Sequence, residues 1–190
     1  MNKDPLADFI WKRQTNRKLY KTAAAPSGLL IDLKSSMNEI QGTEVFFITD
    51  PEKLKKLALL VSMADRIRTE RKDLHEHLFQ MIRFSKEEAL EKRNGFYIKN
   101  LEAGLNGEIF LKTTRSWQIM NMANKLGFGK IVAQAAFNGI MHSSGAGLVV
   151  TSSRTREDFF TGGRALERVW LSLTRAGYQM QPMTAITLFF

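Results

Sequence analysis

Two short stretches hold side chains that together could bind an anionic ligand. Near the start, Arg13-Gln14-Thr15-Asn16-Arg17 places two guanidiniums four residues apart, with two amides and a hydroxyl between them. Near the end, Gln181-Pro182-Met183-Thr184 makes a polar turn. Leu6, Phe9 and Ile10 predict one face of a first helix, capped by Asp4 and Pro5, and Arg13 falls at the next position of that face. A guanidinium aimed inward needs an anion or several acceptors, because burying an unpaired charge is costly. It can meet that need with a ligand, with a core carboxylate, or by snorkelling to water.

Hydrolytic and nucleotide-hydrolysing chemistry finds no support. There is no Gly-x-Ser-x-Gly and no Walker loop, and Gly127-Phe128-Gly129 is too short for a dinucleotide fingerprint. His142-Ser143-Ser144 puts two triad residue types side by side, where they cannot face each other. His75 and His77 are two apart; on a helix they diverge, so they are expected on a solvated face and not as a metal pair.

The stretch 161–190 must position the second half of the candidate site. Leu166, Val169 and Leu173 repeat at helical spacing, and Ala165 and Trp170 widen the apolar face. Arg164 and Arg168 lie on the other side, Thr161 is the expected cap, and Gly177 supplies the left-handed residue that stops the helix. After the turn, Ile186, Leu188 and Phe190 alternate as a strand should. A buried helix that feeds a polar turn at a strand is a common setting for a ligand site, although the same pattern also makes ordinary core.

The Arg13–Arg17 motif and the GRALERVWLSLTRAGYQMQPMT stretch, in this order, resemble the nitroreductase family of FMN-dependent oxidoreductases. The resemblance covers both ends of the chain and little of the middle. It implies an α+β fold, a layered sandwich with a central, mostly antiparallel sheet flanked by helices. On this reading residues 1–190 form a single domain with a helical insertion or lid at about 65–142. It implies FMN as cofactor, NAD(P)H as reductant, and a nitro compound, quinone or similar small molecule as acceptor. Arg13 and Thr15 match the residues that serve the flavin phosphate, Gln14 a contact to the ribityl chain, and Arg17 the positive group near N1 and O2. Pro182, Met183 and Thr184 match the backbone edge near N5. No side chain is expected to act as catalyst, since the flavin carries the hydride. A homodimer with FMN at the interface is also implied.

The sequence departs from this family in two places. Phe190 ends the sequence before the Lys or Arg that usually reaches the phosphate, and the Asn expected at the pyrimidine edge has no clear counterpart in 65–112. The alternative expectation is therefore a non-catalytic ligand- or partner-binding protein of the same scaffold, with flavin binding weakened or lost.

Composition sets the wider bounds. Hydrophobic residues make up 44% and charged residues 25%, as in an ordinary globular chain. With no cysteine, thiolate catalysis and disulfides are excluded. No apolar run reaches the roughly 20 residues of a membrane helix, and the first ten residues lack a signal-peptide core, so a cytoplasmic location is expected. The net charge of +9 invites a nucleic-acid partner, but the Lys and Arg residues are dispersed among Asp and Glu, and an anionic small ligand uses that charge more economically.

The rest of the chain reads as alternating helices and short strands. Residues 20–26 form a linker, and Ser27 caps a helix with Leu29, Leu30, Leu33 and Met37 inward. Gly42 breaks it, and Val45-Phe46-Phe47-Ile48 is a strand buried on both faces. Asp50-Pro51 starts a helix towards Ala64. The charged region 65–112 reads as helices broken near Asn94-Gly95 and between Gly104 and Gly107. Helices over 117–125 and 130–141 follow, rich in Met and aromatic residues that suit core, lid or dimer surface. A second buried strand runs through Leu148-Val149-Val150.

Overall fold

The structure is a computed structural model, and it describes residues 3–184 and 186. The chain divides into two compact units. The first comprises Met1–Asn16, Lys21–Leu54 and Ser143–Pro182; the second comprises Arg17–Tyr20, Lys55–His142 and Met183–Phe190. The architecture is α+β with helices dominant.

The first unit is built on a two-stranded antiparallel sheet. Strand β1 (Thr43–Ile48) pairs with β4 (Ala146–Thr151) in the register Val45↔Val149, Phe46↔Leu148. Alternation puts Val45, Phe47 and Val149 on one face, where α1 (Ser27–Ser35) and α8 (Arg156–Arg175) deliver Leu33, Ala165 and Val169. Met37 and Ile40, in the turns after α1, complete this core. The other face carries Phe46, Leu148 and Val150, exposed by 44%, 50% and 40%. The expectation that β1 is buried on both faces, and that β4 is a second buried strand, is thus corrected: one layer of helix covers one face, and the pattern is that of a half-covered antiparallel pair.

Helix α8 begins earlier than its sequence predicts. Its cap is Thr155, whose hydroxyl accepts from the Asp158 N–H while the Asp158 carboxylate accepts from the Thr155 N–H, a reciprocal capping box. Thr161 lies inside the helix and donates to the Glu157 carbonyl instead. Gly177 ends the helix at φ +80°, and the Tyr178 N–H returns to the Leu173 carbonyl, as expected for a glycine stop. Thr155→Ala is expected to cost about 1 kcal/mol, a fall of roughly 2–4 °C in Tm for a chain of this size, measurable by calorimetry.

Two other expected starts differ. Residues 7–9 form a single 3-10 turn and no longer helix, with the Asp4 carboxylate accepting from the Leu6 N–H. At α1 the capping position is Pro26, so Ser27 is the first helical residue and not the cap.

The second unit is helical. Helix α2 (Pro51–Glu70), whose first turn belongs to the first unit, starts as expected at Asp50, which accepts from the Lys53 N–H. It buries Ala58, Val61 and Ala64 at helical spacing and runs on to Glu70. Helices α3 (Lys72–Met81), α4 (Lys86–Lys92), α5 (Gly104–Thr113), α6 (Trp117–Lys125) and α7 (Phe128–Met141) follow. Gly104 starts α5, whereas Gly107 lies within it and breaks nothing. Two-residue strands β2 (Ile82–Arg83) and β3 (Phe96–Tyr97) pair in parallel, a feature the sequence did not announce. Of the predicted last strand, Leu188 and Phe190 lie outside the described residues, and Ile186 is in a turn of 3-10 form.

Of the two histidines expected on a solvated face, His77 is exposed and His75 is not. Its side chain is buried, the residue being only 2% exposed, between Phe79 and Trp117 at ring separations of 4.4 and 5.4 Å. Nε2 lies 2.9 Å from the Thr114 carbonyl and so must donate, which leaves Nδ1 buried without a partner. Burial pushes the pKa of His75 below its ordinary value of 6.5, with the Thr114 carbonyl partly opposing. The folded chain therefore favours neutral imidazole, and the unfolded chain takes up more protons as pH falls past the ordinary value. The stability contributed by neutral His75 is present above that pH and is lost as pH falls through the lower folded value. We expect His75→Gln to flatten the decline in Tm on acidification below about pH 6.5. A wild-type-like decline in the variant, followed by calorimetry, would assign the acid sensitivity elsewhere.

Candidate functional site

The first of the two motifs meets the residue just before the second in the first unit. Thr15 and Met180 form an isolated parallel β-bridge, and the Asn16 N–H donates to the Met180 carbonyl at 3.2 Å. The segment after the 3-10 turn thus runs alongside the segment after α8, just before Pro182. This contact spans most of the chain.

Arg13 sits at the base of this pairing. Its guanidinium carbon is 4.1 Å from the ring centroid of Trp170, and its Nε is 3.0 Å from Glu167 Oε1. Glu167 and Trp170 are three apart on α8 and so share a face. The Arg13–Glu167 contact is an ion pair without hydrogen-bond alignment, because Nε is closed to solvent and lacks a well-directed acceptor. The distance establishes the electrostatic attraction; the poor angle shows that the donor is unspent. The stacking on buried Trp170 fixes the plane of the guanidinium. Of the three outcomes open in the sequence, Arg13 thus takes a carboxylate partner, though Glu167 is a half-exposed one with its side chain 44% accessible.

Gln14 is exposed, Thr15 is half-buried, and Pro182 is half-buried. The structure therefore brings Arg13, Gln14 and Thr15 to the strand-like segment that precedes Pro182. Arg17, Met183 and Thr184 belong to the second unit. There the Arg17 N–H donates to Glu102 Oε2 at 2.8 Å, while its guanidinium has no hydrogen bond or ion pair among the described residues. Met183 and Thr184 are exposed.

A second arginine of α8 was expected to face solvent and does not. Arg168 Nε donates to the Ser36 carbonyl at 2.6 Å, Nη1 pairs with Asp4 at 2.6 Å, and Nη2 lies 3.4 Å from Glu39. It ties the amino-terminal turn and the end of α1 to α8. The Leu6 N–H and then Arg168 hold the Asp4 carboxyl below the usual carboxylate range. Neither Glu167 nor Arg168 was recognisable as a partner from its own neighbourhood. For Glu167 the available signal was its i, i+3 spacing from Trp170.

Among the described residues no group of three or more His, Cys, Asp or Glu side chains could hold a metal ion. No helix of the described residues is long and apolar enough to cross a membrane.

Comparison with known proteins adds one distant relative. No family model matches the chain, and no solved structure matches it. A protein of Mycobacterium tuberculosis (strain CDC 1551 / Oshkosh), Uncharacterized protein MT1398, is 24% identical over 160 residues, covering 84% of this chain. The aligned region is 22% of that protein, so the chain spans about a fifth of the length of the relative it matches.

Proposed function

We propose that the chain is an FMN-dependent oxidoreductase of nitroreductase type, passing hydride from NAD(P)H to a nitro compound, quinone or similar acceptor. The observation that supports the reading is the pairing of Thr15 with Met180 in the first unit, which sets the Arg13–Thr15 segment alongside the residues just before Pro182. The donors fit the cofactor's chemistry. Arg13 offers a fixed guanidinium with an unspent Nε, Thr15 a hydroxyl, and Arg17 a guanidinium without a carboxylate partner among the described residues.

FMN, when bound, supplies the hydride chemistry, and the protein supplies binding, orientation and charge. In this reading Arg13 and Thr15 hold the phosphate, since charge-assisted bonds to arginine suit its oxygens. Gln14 contacts the ribityl chain. Arg17 opposes the negative charge that builds up on the ring at reduction, and the backbone of Pro182, Met183 and Thr184 edges the ring. The layered nitroreductase-like fold and a cytoplasmic setting belong to the same proposal.

A homodimer belongs to it as well. The support is exposed apolar surface on α6, α7 and the turn between them, where Ile119, Met122, Leu126 and Ile131 are 50%, 67%, 80% and 61% accessible. A dimer that covers these residues should bury about 2,000 Å² or more. Light scattering at low micromolar concentration should give twice the 21.7 kDa of one chain, and a monomer mass would remove the dimer from the proposal.

One observation favours the second reading, a ligand-binding scaffold without turnover: Arg13 already has Glu167 as its counter-ion, so an incoming phosphate must compete. The visible absorption spectrum of the protein as purified, and again after incubation with FMN and gel filtration, tests the leading reading. Retained flavin supports it; a colourless protein in both cases rejects it. Retained flavin with no NAD(P)H oxidation in the presence of menadione or a nitroaromatic supports the second.

A further inference from the structure

A polar cleft of about 400 Å³ in the first unit lies apart in composition from the Arg13 motif. The turn at Asp4 and Leu6, the end of α1 at Asp32 and Ser36, and α8 at Arg168, Ser172 and Arg175 line it. Its size falls in the range of small-molecule sites. Arg168 is committed to Asp4, the Ser36 carbonyl and Glu39, and forms a fixed wall.

Three lining groups are left over. Ser172 is 6% exposed, and its hydroxyl has no hydrogen-bond partner, which is costly for a buried polar group. Neither the Asp32 carboxylate nor the Arg175 guanidinium makes a hydrogen bond or ion pair among the described residues, and both are exposed at the cleft. The charged lining, Asp4 and Asp32 against Arg168 and Arg175, balances to zero. A bare anion would meet two carboxylates, and a bare cation two guanidiniums. Arg175 acts on Asp4 only at longer range, without a salt bridge, so a molecule that carries one charge of each sign meets both exposed groups together.

We infer that this cleft binds a small zwitterion of the α-amino-acid class, its ammonium on Asp32, its carboxylate on Arg175, and the Ser172 hydroxyl bonded to either group. The site requires neither FMN nor the Arg13 motif, so it stands or falls apart from the oxidoreductase reading.

The test uses the full chain. Each of the common α-amino acids is added singly at about 10 mM and Tm is recorded, since a ligand that binds only the folded state raises it. Hits are then titrated by calorimetry. Acetate, methylammonium chloride and inorganic phosphate serve as single-charge controls. At least one amino acid should raise Tm and bind saturably, while acetate and methylammonium at equal concentration do not. Arg175→Gln and Asp32→Asn, both exposed and therefore tolerated by the fold, should each weaken that binding about tenfold or more, the loss of one charged contact. Arg13→Ala should leave it unchanged. Absence of binding by every amino acid would overturn the inference. So would binding of phosphate alone, which marks an anion site, or binding that survives both substitutions.

Discussion

Gly95→Ala lowers the stability of the chain by about 3 kcal/mol or more, a fall in Tm of roughly 6–12 °C. Gly95 stands at φ +73°, a conformation that residues with a Cβ adopt at a cost. An added Cβ would lie 2.2 Å from the Met81 carbonyl oxygen and 3.1 Å from the Arg83 guanidinium carbon. The carbonyl is backbone and cannot swing aside. Relief must come from parting β2 and β3, whose register places Ile82 beside Phe96 and Arg83 beside Tyr97.

That shift would strip acceptors from Arg83, which is 6% exposed and makes no salt bridge among the described residues. Its guanidinium donates to the Gln80 carbonyl at 2.6 Å, the Ile82 carbonyl at 3.2 Å and the Asn94 side chain at 2.6 Å. A buried cation that loses such acceptors pays heavily. Gly104→Ala is the control: φ is +68° there too, but nothing lies within 4 Å of the added carbon, so only the backbone strain of about 1 kcal/mol remains. Denaturant or thermal unfolding of the two variants gives the comparison. Equal losses would show that the overlap at Met81 is relieved without cost.

The second large effect concerns ligand affinity. On the proposed reading, Arg13→Ala is expected to weaken FMN binding by about 1.5–3 kcal/mol, on the order of 10- to 150-fold, because it removes a charged donor that Trp170 holds in plane. Arg13→Lys keeps the charge but loses the planar fork and the stacking, and should fall between. Glu167→Gln moves the other way. It removes the anion 3.0 Å from Nε that a phosphate would have to displace, so on the same proposal FMN should bind more tightly. The gain is small, up to about fivefold, because Glu167 is partly solvated and such pairs are worth at most about 1 kcal/mol. Opposite signs at Arg13 and Glu167 are the mark of competition for one guanidinium. A loss of affinity at both positions would make Glu167 part of the binding surface; no change at either would place the phosphate elsewhere.

The sequence was most informative where local chemistry decides structure. Asp50-Pro51 starts a helix, Gly177 stops one, and 117–125 is helical, each for a reason contained within a few residues. Errors arose where a local signal competed with a longer one. Gly162-Gly163 hid the first turns of α8, although Thr155-Arg156-Glu157-Asp158 carries a capping signature; nothing within 4 Å opposes a side chain at Gly163, so the helix simply tolerates that glycine. Val45 to Ile48 reads as a strand buried on both faces, because apolar composition cannot show that a layer is missing on one side.

Residues that face each other across the chain left no local trace. The alternation that places His75 between Phe79 and Trp117 depends on α3 meeting α6, and the sequence around His75 looks solvated. The candidate site was legible as two fragments. That Thr15 pairs with Met180, and that Glu167 occupies Arg13, required the fold.

The central claim is that the paired 13–15 and 180–182 segments serve a flavin that NAD(P)H can reduce. Titrating the full chain with FMN under anaerobic conditions, then adding NADH or NADPH and following the visible flavin band, tests it most directly. The proposal predicts saturable binding with quenched flavin fluorescence, bleaching of the bound flavin by reduced nicotinamide, and return of colour when menadione is added. FMN that stays free at protein concentrations well above micromolar, with no bleaching beyond that of free flavin, would contradict it.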